Sequence, residues 1–177
     1  MQKSTRNKLL VLFGLALAIT LGFSISMERK LESTKVLQIE RAFPFFTAED
    51  LMAEDRLISR TDILTQPYQI VNVWASWCGI CKLEHEYLNQ LKNLGVPIIG
   101  INYRDNKLDA IKVIKNEGNP FEKIIYDHRG DLSIELGVIG TPETYLVDRN
   151  GNIRLKIMGV LNEDIWNEYL KSYFQGI

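Results

Sequence analysis

Two shortages frame this chain: it has almost no cysteine and no excess of either charge. Two cysteines in 177 residues are too few for a disulfide scaffold, and a chain of this length can bury a core without one. With 21 basic against 22 acidic residues the formal charge is -1, and no dense basic run occurs outside the first eight residues. A nucleic-acid partner needs a concentrated basic surface, so that class is set aside. Internal repeats and low-complexity tracts are also missing, which removes solenoids and arrays. What is present is ordinary for a folded domain: 46% of the residues are hydrophobic.

One long apolar run is present, at the N-terminus. Leu9 to Met27 holds 19 uncharged residues behind Lys3, Arg6 and Lys8. As a helix, at about 1.5 Å per residue, it just crosses a hydrocarbon core. It reads either as a cleaved secretory signal or as an uncleaved anchor. The run is longer than a usual cleavable core, and Ser24-Ile25-Ser26 is a weak cleavage site, so the anchor is the better reading. The basic flank, residues 1–8, would stay in the cytoplasm, with the rest outside. Residues 28–42 are charged without a strong period and read as a stalk. The folded domain is expected over 43–177, opening with an extended Phe43-Pro44-Phe45-Phe46.

Downstream, hydrophobic periodicity sets out a series of elements. Tyr68 to Trp74 is a buried strand rich in β-branched residues. Leu83, Tyr87, Leu88, Leu91 and Leu94 recur at helical spacing, closed by Gly95. Val96–Ile101 is a second buried strand, and Leu108 to Lys115 a helix stopped by Gly118 and Pro120. Lys123–Tyr126 is a short strand, and Leu132–Leu136 a short helix. Glu143–Val147 and Ile153–Ile157 are strands joined by a turn at Asp148-Arg149-Asn150-Gly151. In the second of these, Ile153, Leu155 and Ile157 alternate with Arg154 and Lys156, as in a sheet with one face covered. Asn162 caps a last helix. Residues 51–64 carry no clear pattern beyond one helical turn at Thr61–Leu64. The order predicts an α/β fold, a mixed sheet with helices on both faces.

Both cysteines lie at one junction, Trp77-Cys78-Gly79-Ile80-Cys81, where the first strand ends and the first helix opens. Cys78 then stands at a helix N-terminus, where free N–H groups and the dipole lower a thiol's pKa. It is the expected attacking sulfur. Cys81, one turn in, is the expected resolving sulfur. A static disulfide and a zinc site are the rivals. The zinc reading would take Cys78, Cys81, His85 and the distant His128. Cys81, Glu84, Leu88 and Leu91 share one helical face, so Glu84 could carry a raised pKa and shuttle the Cys81 proton. It could equally be a solvated helix glutamate. His85 reads as a surface residue, and Trp77, a candidate substrate contact, either packs under the turn or is a plain core aromatic.

With these elements in this order, the Cys-x-x-Cys resembles that of the thioredoxin fold. The likeness narrows at Cys81-Lys82-Leu83-Glu84-His85, Gly118-Asn119-Pro120, Gly137-Val138-Ile139-Gly140-Thr141-Pro142-Glu143-Thr144 and Gly151-Asn152-Ile153-Arg154. There the chain resembles the DsbE/CcmG thiol:disulfide interchange proteins, from about Phe43 to Phe174. The resemblance implies a thioredoxin-like domain on one N-terminal anchor, facing the bacterial periplasm from the inner membrane. It implies a cis peptide before Pro142, with Thr141 pairing with substrate, and it places Glu84 beside the thiols and Glu143 on the acidic rim of the site. It implies no cofactor beyond a redox-active Cys78–Cys81 pair. The implied partners are apocytochrome c or a CcmH-type thiol protein, and a DsbD- or CcdA-type transmembrane reductase. The implied task is keeping apocytochrome cysteines reduced for haem attachment; a general exported disulfide reductase is the alternative. One departure is Gly79, where the family often has Pro; residues between the cysteines tune the reduction potential.

Overall fold

The structure, a computed structural model, describes residues 12–20, 22 and 34–175. The chain divides at 33/34 into two units. In the first, residues 12–20 and 22 are helical; the rest of the anchor expected over 9–27 and the N-terminus 1–8 lie outside the described residues. Among the described residues, no helix is long and apolar enough to cross a membrane.

The second unit is built on one eight-stranded sheet in the order β1-β8-β7-β4-β5-β6-β2-β3. Its strands are β1 (Lys35–Ala42), β2 (Thr47–Asp50), β3 (Leu57–Ser59), β4 (Tyr68–Trp74), β5 (Ile98–Tyr103), β6 (Lys123–Asp127), β7 (Glu143–Asp148) and β8 (Asn152–Met158). The helices are α1 (Arg60–Ile63), α2 (Cys81–Asn93), α3 (Lys107–Glu117), α4 (Asp131–Leu136) and α5 (Glu163–Ile165). The last runs on as a π turn (Trp166–Leu170) and a 3-10 turn (Lys171–Phe174). β4, β5 and β6 are parallel, and β7 returns antiparallel to β4. Helices cover both faces. Leu88 and Leu91 of α2, Ile114 of α3 and Trp166 pack on one side with Ile70 and Ile98. Ile63 of α1 and Leu132 and Leu136 of α4 pack on the other with Val71 and Ile101. The mixed sheet and its two layers of helix are those the sequence predicts.

Three expectations need correction. The stalk read over 28–42 contains β1, which pairs antiparallel with β8, so the folded unit begins near Thr34 rather than at 43. An edge strand is half-buried and carries charges such as Lys35, Glu40 and Arg41, which hides its period. The featureless stretch 51–64 holds β3 and α1; a strand of three residues and a helix of four are too short to show periodicity. Finally, β8 does not have one covered face. The β7–β8 ladder shifts register between Leu146 and Val147. As a result Ile153 joins one core and Leu155 and Ile157 the other. Lys156, read as a solvent-facing residue, is buried at 7% exposure.

Candidate active site

β4 and β5 are parallel neighbours, so their carboxyl ends lie together, where open α/β sheets collect their chemistry. The turn leaving β4 carries Cys78, and α2 begins at Cys81. The two sulfurs form a disulfide with Cα atoms 5.3 Å apart, and each cysteine is only 6% exposed. The Cys81 N–H donates to Cys78 Sγ at 3.1 Å. A main-chain N–H aimed at a cysteine sulfur at a helix start is the kind of contact that favours a thiolate there.

Asp105, just past β5, holds this turn. Its carboxylate accepts from Ser76 N–H (2.5 Å), Ser76 Oγ (2.6 Å) and Asn102 Nδ2 (2.8 Å). Trp77 Nε1 donates to the Arg104 carbonyl at 3.1 Å. Trp77 is not a core aromatic: the residue is 58% exposed, next to Cys78 in the turn. The core aromatic is Trp74, stacked on Phe121.

α2 turns inward the face that groups Cys81, Glu84, Leu88 and Leu91, as their spacing predicts, and leaves out part of the leucine stripe. Leu83 and Leu94 are exposed, while Cys81, Glu84, His85, Leu88 and Leu91 are buried. The position of Cys81 against the end of β4 sets the rotation, and the helix period then brings Glu84 and His85 inside. His85 is therefore not a surface residue: its Nε2 is 2.9 Å from the Gly118 carbonyl oxygen. Glu84 is not solvated either, at 1% exposure. Its Oε1 accepts from Asn72 Nδ2 and its Oε2 from Leu161 N–H, both at 2.7 Å. Burial pushes its carboxyl up to about 7, against the pull of those two donated bonds. Asn72 Nδ2 also donates to Thr144 Oγ1 at 3.0 Å, tying Glu84 to β7.

β7 sets Glu143 opposite Val73, so Thr141-Pro142 lies just beyond the end of β4, beside the cysteine turn. The Thr141–Pro142 peptide is cis. Glu143 is 2% exposed and so lies beneath the loop, not on an acidic rim. Its carboxylate accepts from Ile139 N–H (2.9 Å) and from the Tyr145 hydroxyl (2.6 Å), and pairs with Lys156 Nζ (3.0 Å). Burial and that carboxylate hold the Tyr145 proton on, raising its pKa.

The sequence reading missed Asp105, Asn72 and Lys156. Asp105 could have been found: it follows a buried strand parallel to the one that ends at the cysteines. The donors of the zinc reading are engaged elsewhere. The sulfurs bond each other, His85 bonds Gly118 and His128 stacks on Tyr126.

A dithiol at a helix start, with a buried carboxyl one turn on and a proline loop alongside, is equipped for thiol–disulfide exchange. Known proteins agree. The redoxin family matches residues 38–170. The thiol:disulfide interchange protein DsbE of Escherichia coli strain K12 is 37% identical over 176 residues, covering 96% of this chain and 95% of that protein. DsbE of Pseudomonas aeruginosa is 41% identical over 137 residues, 77% of this chain and 76% of that one. The crystal structure of a DsbE from Chlorobium tepidum superposes with a TM-score of 0.62 at 26% identity, covering 78% of this chain and 96% of its own. The chain belongs to the redoxin family and, within it, to the DsbE thiol:disulfide interchange proteins, as a protein thiol:disulfide oxidoreductase whose redox pair is Cys78 and Cys81.

Proposed function

We propose that this oxidoreductase works as a reductant outside the inner membrane, tethered by residues 9–27. It keeps the cysteines of apocytochrome c, or of a CcmH-type thiol partner, reduced for haem attachment. The observation that carries this reading is the DsbE likeness over 96% of the chain, which reaches through the N-terminal apolar run as well as the folded unit. A DsbD- or CcdA-type membrane reductase would return the pair to the dithiol.

The exchange runs in two steps. The Cys78 thiolate attacks one sulfur of the partner's disulfide; that bond breaks, and the other partner sulfur leaves as a thiolate that takes a proton. Cys81 then passes its proton to the Glu84 carboxylate and attacks Cys78 Sγ. The mixed disulfide breaks, the second partner sulfur leaves as a thiolate that takes a proton, and two electrons have moved to the partner. A carboxyl whose pKa is about 7 is partly ionised near neutral pH, so it can accept that proton and give it up again. The Thr141 backbone would pair with an extended partner segment, and exposed Trp77 would contact it. Glu143 supports that loop from below.

The test is a trap. Cys81→Ser removes the resolving sulfur, so in cells making cytochrome c a partner should stay bound to Cys78 until reductant is added. Capture of no partner counts against the mechanism. Loss of the protein should also lower covalent haem attachment; normal cytochrome c levels would favour a general exported reductase. A reduction potential of about -120 mV, that of a strong oxidant, would sink the reductant reading.

A further inference from the structure

The Glu143–Lys156 pair lies under the loop that carries Thr141, and no step of the exchange uses it. Lys156 stands on β8, one strand further from the cysteines than β7. Its ammonium donates to the Gly137 carbonyl at 2.7 Å and lies 3.0 Å from the Glu143 carboxylate. That carboxylate takes the N–H groups of Ile139 at 2.9 Å and Gly140 at 3.4 Å. Two buried, opposite charges thus hold a carbonyl and two amides of the loop from below. Its ends are pinned as well, by Val138 N–H to the Ser133 carbonyl and Gly159 N–H to the Pro142 carbonyl. On the outer side Ile139 is exposed, and among the described residues the Thr141 main chain has no backbone partner.

A buried ion pair is poor evidence for stability, because desolvation consumes most of its attraction. What this pair supplies is geometry: charge-assisted bonds from two side chains to main-chain groups fix the shape of a short irregular loop. We propose that Lys156 is a positioning residue for polypeptide substrates. With Glu143 it holds residues 137–141 so that the Thr141 main chain is presented to an extended partner backbone beside Cys78. It touches no sulfur. A polypeptide disulfide therefore depends on it, and a small disulfide with no peptide groups does not. The inference rests on the thiol:disulfide activity and is independent of the cytochrome c reading.

The experiment compares two substrates of the reduced protein. One is 2-hydroxyethyl disulfide. The other is an extended peptide of about ten residues whose single cysteine is joined to 2-mercaptoethanol. With either, the protein dithiol becomes the Cys78–Cys81 disulfide and the substrate yields two thiols. Lys156→Met should lower the peptide rate by about tenfold more than the hydroxyethyl disulfide rate, and amide exchange at Ile139 and Gly140 should quicken. Lys156→Arg, which keeps a cationic donor, should recover most of the difference. If Lys156→Met fails to fold, Glu143→Gln with Lys156→Met makes the same test without a stranded buried charge, and the same peptide-selective loss is expected. An unchanged ratio of the two rates in a folded variant would overturn the proposal. A wild-type protein that reduces neither substrate would overturn the activity and the proposal with it.

Discussion

Glu84 couples folding to pH in an unusual direction. Burial raises its carboxyl from 4.5 to about 7. Between those values the unfolded chain has lost the proton and the folded one keeps it, so stability falls as pH rises. The contribution is complete below about pH 4.5 and is lost as pH passes about 7, a change of roughly 3 kcal/mol. Glu84→Gln should remove this slope. A glutamine can accept from Leu161 N–H and, with the Asn72 amide turned over, donate to Asn72 Oδ1, while the Thr144 hydroxyl reorients to serve the same amide. Denaturant unfolding of the oxidised protein at two pH values, about 5 and about 8, checks it. The variant should gain on wild type by up to about 3 kcal/mol at the higher pH; a difference that does not move with pH refutes the account. The cysteines and Glu84 were legible in the sequence because one helix fixes their spacing. Asn72, Asp105 and Lys156 come to the site through strand pairing, which no local spacing encodes.

At the scale of elements, the edge strand β1 makes the sharpest claim. Val36 and Ile39 pack against opposite cores, one on each face of the sheet. A chain starting at Phe43 would lose these contacts and leave β8 as a bare edge. It should be less stable by about 2 kcal/mol, from two half-buried apolar side chains and the lost ladder. It should also self-associate through that edge. Unfolding midpoints and light scattering, compared with a chain starting at Thr34, test this; equal midpoints and a monomer would make β1 a mere stalk after all. The long elements were legible because four or more periodic residues identify them. β1 was hidden by its edge charges. β8 was misread because one register shift moves every later side chain to the opposite face, and a run of Ile, Leu and Ile alternating with Arg and Lys looks the same with or without it.

The whole folded unit hangs from its central strands. β4 lies between β5 and β7 with both faces covered, whereas β3 has three residues at the sheet's edge. Local opening is cheap where little is buried, so hydrogen exchange should sort the molecule by distance from β4. Amides of Val71, Val73, Ile99 and Ile101 should exchange only on global unfolding, and those of Leu57 and Ile58 several kcal/mol sooner. Ser76 breaks the pattern. It lies in a turn, where amides normally exchange fast, but its N–H is bound to Asp105, just past β5. It should therefore be protected nearly as well as the strands. Reducing the Cys78–Cys81 disulfide should leave that protection in place, because the bond runs to Asp105, itself tied to Asn102 of β5, and not to either sulfur. A Ser76 amide that becomes fast-exchanging on reduction would mean that the disulfide, and not the sheet, holds the turn. The attacking thiol would then lose its setting in the reduced state, the one in which it has to act.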